Sequence, residues 1–193
     1  MDLTQGTFDQ KNKRAKKMML WFGIVSLVMS FGGLTSAFIV SSTREDWLVD
    51  FSLPGAFQIS TGLILLSSVL LYFAKVTLTK GQHKNTTLLL VATLLLGIGF
   101  IYSQVVGFGQ IIAQGYNFTG PTSNITMSYI YIIAVVHILH VVVGLICLFA
   151  VIINHLKQKY SKENKLGFDL ASTFWHFVDV LWIYLFFFLY FFK

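Results

Sequence analysis

Charge is what this 193-residue chain has least of. Only 11% of its residues are Asp, Glu, Lys or Arg, against about 25% in an ordinary soluble domain. That is too little to cover a water-facing surface, and it excludes a soluble globular domain and a disordered chain alike. Proline occurs twice and cysteine once, at Cys147. One thiol excludes a disulfide framework, and Cys147 reads as a small inert hydrophobe. Acidic residues number eight against fourteen Lys and Arg. What is abundant is apolar: 55% of the residues are hydrophobic and the mean hydropathy is +0.72. This is the composition of an integral membrane protein.

A helix needs about 20 apolar residues to cross a hydrocarbon core of about 30 Å. Five stretches qualify, at 18–40, 55–74, 88–113, 127–153 and 170–192. The alternating segments of about ten residues that build a membrane barrel are absent. The predicted fold class is an all-α integral membrane protein, a five-transmembrane-helix bundle. Residues 18–193 form one membrane domain behind a basic tail at 1–17. The first stretch is too long for the apolar core of a signal peptide, about 7–15 residues, and is read as a retained helix.

The connectors predict orientation. Lys11, Lys13, Arg14, Lys16 and Lys17 precede the first span. Lys75, Lys80 and Lys84 lie between the second and third, and Lys157, Lys159, Lys162 and Lys165 between the fourth and fifth. Twelve of the fourteen basic residues thus fall on one side, leaving Arg44 and Lys193 on the other. The positive-inside rule puts the N-terminus in the cytoplasm and the C-terminus outside. The pI of about 9.4 is then a topology signal, and the basic rim suits anionic lipid. A nucleic-acid partner would need a clustered basic face with reading residues, and none is present. Asn117-Phe118-Thr119 and Asn124-Ile125-Thr126 fit the glycosylation pattern, which is common by chance.

Small residues can let membrane helices approach closely. Gly32 with Ser36, Gly33 with Ala37, and the ridge Gly99, Ser103, Gly107 are expected packing positions. Polar residues inside spans carry more information because each costs free energy there. They are Gln104, the pair His137 and His140, and the pair His176 and Asp179. Three readings compete. Axial haem ligation would use histidines on facing helices, but the span edges place His140 about 20 Å and His176 about 9 Å from the basic side. A metal site of His137, His140, His176 and Asp179 suits zinc or iron by ligand type and meets the same mismatch. The third reading is structural: hydrogen-bonded polar pairs that lock helices together and lock the chain to a partner. Physical chemistry alone favours it. Asp179, the sole formal acid within a span, is expected to meet a donor at a partner contact, so that Asp179→Leu would leave that donor unpaired. The aromatic run from Phe186 to Phe192 reads as lipid contact and interface belt.

The last span carries a specific string. Phe174-Trp175-His176-Phe177-Val178-Asp179-Val180-Leu181-Trp182 resembles the WHFVDVVW signature of subunit III of haem–copper respiratory oxidases. Gly167-Phe168-Asp169 resembles that family's GFE, and His137 through Gly144 resembles its HGLHVIIG. Trp21 through Gly32-Gly33-Leu34 is similar to its WLFxxSExxFFGGL. The resemblance covers nearly all of the chain after the tail and matches the family's short five-helix form. It implies a non-catalytic subunit without haem or metal of its own. Haem and copper would reside in partner subunits. It also implies packing against oxidase subunits I and II, bound phospholipid, and support of proton uptake. Trp21, Trp175 and Trp182 are the expected lipid or subunit contacts. Two family glutamates are missing, since their positions hold Leu27 and Gly107, which puts a direct proton-handling role in doubt. Within the resemblance the expected assignment is an aa3-type cytochrome c oxidase of a bacterial plasma membrane, in aerobic respiration and within reach of a larger respiratory supercomplex. A quinol oxidase and the five-helix protein associated with nitric oxide reductase are the alternatives. Outside it, a small transporter would need a broken helix or paired central charges, and the sequence has no paired charges.

Overall fold

A computed structural model describes residues 7–48, 53–118, 120, 124–160 and 165–192. Lys162, Lys193 and Thr119, named above, lie outside the described residues. The chain is all-helical: α1 (Phe8–Ser41), α2 (Gly55–Thr79), α3 (His83–Ala113), α4 (Ile125–Leu156) and α5 (Leu166–Phe191). Each is long and apolar enough to cross a membrane.

All five helices are longer than their apolar stretches by several residues. Lys, Arg and Gln tolerate helical backbone well, so a helix continues past the hydrocarbon edge. Hydropathy marks where lipid stops and not where the helix stops. The excess is largest in α1, whose 34 residues reach about 51 Å. Its first turns carry Lys11 through Lys17, so the basic residues of the tail are helical and exposed.

Three helices end alike. In α2 the N–H of Gly81 donates to Leu78 O and that of Gln82 to Thr77 O, which is the Schellman closure. Gly115 and Tyr116 repeat it on Ile112 and Ile111 after α3, and Gln158 and Lys159 on His155 and Asn154 after α4. The closure needs a left-handed residue. Gly81 (φ 74°) and Gly115 (φ 91°) meet that need without strain, whereas Gln158 (φ 53°) carries a Cβ. At the opposite end the α1–α2 connector is tied to the start of α4. Asn124 Nδ2 donates to Asp46 O at 3.1 Å, and Leu48 N donates to Thr126 Oγ1 at 3.0 Å. In that connector Arg44 hydrogen-bonds Asp46 at 2.8 Å and holds its carboxyl below the usual range.

Helices α2, α3, α4 and α5 form a ring in which each touches two neighbours, and α1 lies outside it against α4 and α5. The ring is filled by Ile64, Leu90, Phe100, Val141, Trp175 and Trp182. Two glycines make it tight. A Cβ at Gly97 would meet Leu145 Cδ2 and Trp175 Cη2 at 2.7 Å, and one at Gly107 would meet Phe57 Cε2 at 2.8 Å. The expected first-span pairs play no such part, because nothing lies within 4 Å of a Cβ at Gly32 or Gly33. Helix α1 packs through Ile24, Phe31, Thr35 and Phe38, with Phe38 edge-on to Phe188 at 5.3 Å.

Candidate functional site

The ring encloses a seam of polar side chains that runs along its length. Farthest from the basic end, Gln104 Nε2 donates to Ser60 Oγ at 2.7 Å and Ser103 Oγ to Ala56 O at 2.9 Å. Deeper in, Trp182 Nε1 donates to Thr61 Oγ1 at 3.0 Å and Trp175 Nε1 to Ser67 Oγ at 3.1 Å. His176 Nδ1 and Ser68 Oγ lie 2.6 Å apart. Toward the basic end the hydroxyls of Thr77 and Thr86 meet at 2.9 Å. There Lys75 Nζ pairs with Asp169 Oδ1 at 2.9 Å, and His155 Nε2 donates to His83 O at 3.2 Å.

Helix α2 is the common acceptor. Ser60 and Thr61 sit one heptad from Ser67 and Ser68, two turns apart on one face. Each of Ser60, Thr61 and Ser67 donates its own proton to a backbone carbonyl one turn earlier. That satisfies the hydroxyl hydrogen inside the helix and leaves lone pairs for an amide or indole donor from a neighbour.

Five residues singled out in the sequence fall on or beside this seam, in different states. Gln104 is bonded through its amide nitrogen, but its Oε1 has no partner. His137 is fully buried and neither ring nitrogen has a hydrogen-bond partner. It is enclosed by the rings of Trp182 (5.1 Å), Phe100 (6.0 Å) and Phe31 (6.3 Å). His140 bonds Val136 O at 2.7 Å on its own helix. The i, i+3 partners therefore do not bond one another as expected. A three-residue offset aligns side chains roughly but points His140 toward Phe31 of α1 and His137 into the ring. His176 likewise bonds Ser68 of α2 and not Asp179.

Asp179 is 2% exposed. Ser68 faces its carboxyl, yet neither carboxyl oxygen has a hydrogen-bond partner. The carboxyl looks inward, between α5 and α2. Trp175 and Trp182, expected as lipid or subunit contacts, also lie inside the ring. Both are 1% exposed, because their indole N–H groups find acceptors on α2 inside the ring. Trp21, at 60% exposure, faces outward.

Depth also differs from the span arithmetic. His137 lies against Trp182 and Gly144 against Trp175, so by the same antiparallel register His140 is level with Asp179. His140 and His176 are then offset by three residues, about 4.5 Å, and not by about 11 Å. Span edges are a poor gauge of depth here, because α5 begins four residues before its apolar run, α4 ends three residues after its own, and the two ends need not be level. What separates the two histidines is direction, since one faces α1 and the other α2. Among the described residues no three His, Cys, Asp or Glu side chains gather as a metal-holding group.

The Ser60–Thr61 and Ser67–Ser68 ladder and the Lys75–Asp169 pair went unmarked in the sequence. The ladder had a signal, two hydroxyl pairs seven residues apart in one span. The ion pair had none, since it joins residues 94 positions apart.

Comparison with known proteins agrees with the strings in α1, α4 and α5. A family model described as cytochrome c oxidase subunit III matches residues 4–193. Cytochrome c oxidase subunit 3 of Drosophila melanogaster is 30% identical over 196 residues, covering 94% of this chain and 72% of the relative. That of Loxodonta africana is 31% identical over 199 residues, with 94% and 73% covered. Cytochrome bo(3) ubiquinol oxidase subunit 3 of Pseudomonas putida is 30% identical over 162 residues, with 83% and 74% covered. With a match over nearly its whole length and the signature residues in place along α5, the chain belongs to the cytochrome c oxidase subunit III family of haem–copper oxidases.

Proposed function

We propose that this chain is the non-catalytic subunit III of an aa3-type cytochrome c oxidase in a bacterial plasma membrane. It packs against subunit I beside subunit II, binds phospholipid, and supports proton uptake and the durability of the catalytic subunit. The observation that carries a structural role is the α2 ladder. The indoles of Trp175 and Trp182 and the amide of Gln104 are all engaged by hydroxyls of a neighbouring helix. These side chains hold helices together. His176 and Asp179 share Ser68, His137 and His140 lie against Phe31, and among the described residues the four do not gather as a metal-holding group. Haem and copper belong, in this reading, to the partner subunits. The 12-to-2 distribution of basic residues supports a cytoplasmic N-terminus. A cysteine at Lys80 should resist a membrane-impermeant thiol reagent added to intact cells, and one at Asn117 should react. The reverse pattern would overturn the topology.

A second reading is subunit III of a quinol oxidase, favoured by the Pseudomonas putida relative at 30% identity. One preparation separates the two. The complex is purified through a tag on this chain, its subunits are identified by mass spectrometry, and oxygen uptake is followed with reduced cytochrome c and with ubiquinol. Turnover with cytochrome c is expected. Turnover with quinol alone would select the second reading, and co-purification with a nitric oxide reductase would overturn both.

A further inference from the structure

Two histidines that no string in the sequence marks meet at the basic end of the ring. His83 is the first residue of α3, and His155 is the last but one of α4. Their ring centres lie 5.6 Å apart, with the planes at 29°. His155 is 3% exposed, whereas His83 is exposed. One hydrogen bond fixes what His155 can do. Its Nε2 lies 3.2 Å from the backbone oxygen of His83. A carbonyl only accepts, so Nε2 carries the proton, and Nδ1 of the neutral ring keeps a lone pair. That Nδ1 is buried and has no hydrogen-bond partner among the described residues.

An imidazole that ties its N–H to a backbone carbonyl and offers its other nitrogen is set up as a metal ligand, with tautomer and ring orientation already chosen. His83 stands beside it on another helix, and its exposed ring can turn one nitrogen to the same point. The spacing suits a shared ion. At Zn–N distances of about 2.0–2.1 Å, two imidazoles on one tetrahedral ion have ring centres roughly 5–5.5 Å apart. The 5.6 Å separation is a small side-chain adjustment away. Imidazole nitrogens favour zinc, copper and nickel, whereas magnesium and calcium take oxygen. Charge limits the strength. Lys84 and Lys157 flank the pair and are exposed, so they oppose a divalent ion, though solvent and salt screen them.

We propose that His83 and His155 form a site for one divalent ion of the zinc class, which clips the start of α3 to the end of α4. Water completes the coordination, so the ion is exchangeable and not locked into a closed structural centre. The proposal goes beyond the subunit reading above and does not depend on which oxidase the chain serves. The interior histidines lack this arrangement. His140 gives its Nδ1 to a carbonyl of its own helix, and His176 gives its Nδ1 to Ser68.

The test is a Zn²⁺ titration of the purified complex against a chromophoric chelator at neutral pH. Wild type and variants carry the same partner subunits, so their difference reports this site alone. His83→Gln, at an exposed position, and His155→Gln, whose amide can still donate to the His83 carbonyl, should each weaken one equivalent of Zn²⁺ by at least about 10-fold. That is the lower end of what losing a mere supporting hydrogen bond costs a metal site. Lys84→Gln should bind the same equivalent more tightly, because a neighbouring cation is gone. Equal uptake by the wild type and both histidine variants would overturn the site, as would no uptake by the wild type. Loss in His83→Gln with full retention in His155→Gln would mean a lone surface histidine and would also overturn it. So would uptake that excess Mg²⁺ abolishes, because the ligands would then be oxygens.

Discussion

Gly97 is the position where the least added matter should do the most damage. A methyl group there would sit 2.7 Å from Leu145 Cδ2 and from Trp175 Cη2, and 3.1 Å from Trp175 Cζ2. Carbon atoms in contact prefer about 3.5–4.0 Å, so something must retreat by close to an ångström. Trp175 is poorly placed to do so. It is 1% exposed and its Nε1 is bonded to Ser67. A Cβ at Gly144 of α4 would stand 3.1 Å from its Cε3, so the ring is already close against that backbone as well. Overpacking of this kind costs about 1–3 kcal/mol. The better helix propensity of alanine returns up to about 1 kcal/mol. Gly97→Ala should therefore destabilise the bundle by about 1–2 kcal/mol. Gly32→Ala, which meets nothing, should be neutral or slightly stabilising. Equilibrium unfolding in mixed micelles, followed by circular dichroism, would compare the two. Adding Trp175→Phe, which removes the clashing benzo edge, should make the Gly97→Ala penalty smaller. If Gly97→Ala is as stable as Gly32→Ala, the tight seating of Trp175 between α3 and α4 is wrong.

Trp182→Phe and Thr61→Val each remove the same indole–hydroxyl bond. Each should cost about 1 kcal/mol, and a double-mutant cycle should show the second change costing less than the first. Additive losses would mean that the bond does not form. Asp179→Asn should change stability by less than about 1 kcal/mol, since an amide keeps the approach to Ser68, and Asp179→Leu should cost no more than about 1 kcal/mol, because Ser68 is the one neighbouring hydroxyl that faces the carboxyl among the described residues. This reverses the cost foreseen from sequence for Asp179→Leu, and a loss of several kcal/mol in unfolding titrations would show that a donor reaches the carboxyl in the assembled protein. Gln158→Gly should stabilise by about 1 kcal/mol, since it relieves a left-handed residue of its Cβ. An unchanged or lower thermal midpoint would count against the α4 closure.

The five helices could be read from hydropathy because a bilayer imposes one length on every crossing. Their ends were less legible. Gly81 and Gly115 marked two closures, whereas the third is made by Gln158, which no sequence rule selects. The placement of α1 outside the ring was not legible either. Gly32-Gly33 looked like a packing face, but small residues only permit close approach. In this chain the approach is made by Phe31 and Phe38, and the glycines are exposed on another face of α1.

The polar seam was half legible, for a reason that lies in how membrane helices satisfy polar atoms. Reading a span for residues that are costly in lipid selects His137, His140, His176, Asp179 and Gln104, and it finds the level of the membrane at which the ring is polar. It does not find what bonds to what. Serine and threonine escape such a reading because a hydroxyl that donates to its own helix costs little there. Yet the same hydroxyl keeps a lone pair, and so becomes the acceptor that a buried indole or amide requires. Ser60, Thr61 and Ser67 fill that role for Gln104, Trp182 and Trp175 in turn, and Ser68 meets His176 beside them. Their seven-residue repeat on α2 is what aligns four side chains from two other helices along one face. The inexpensive residues set the register of the ring, and the expensive ones, left with unpartnered atoms at Asp179, His137 and Gln104, occupy the interior that this register encloses.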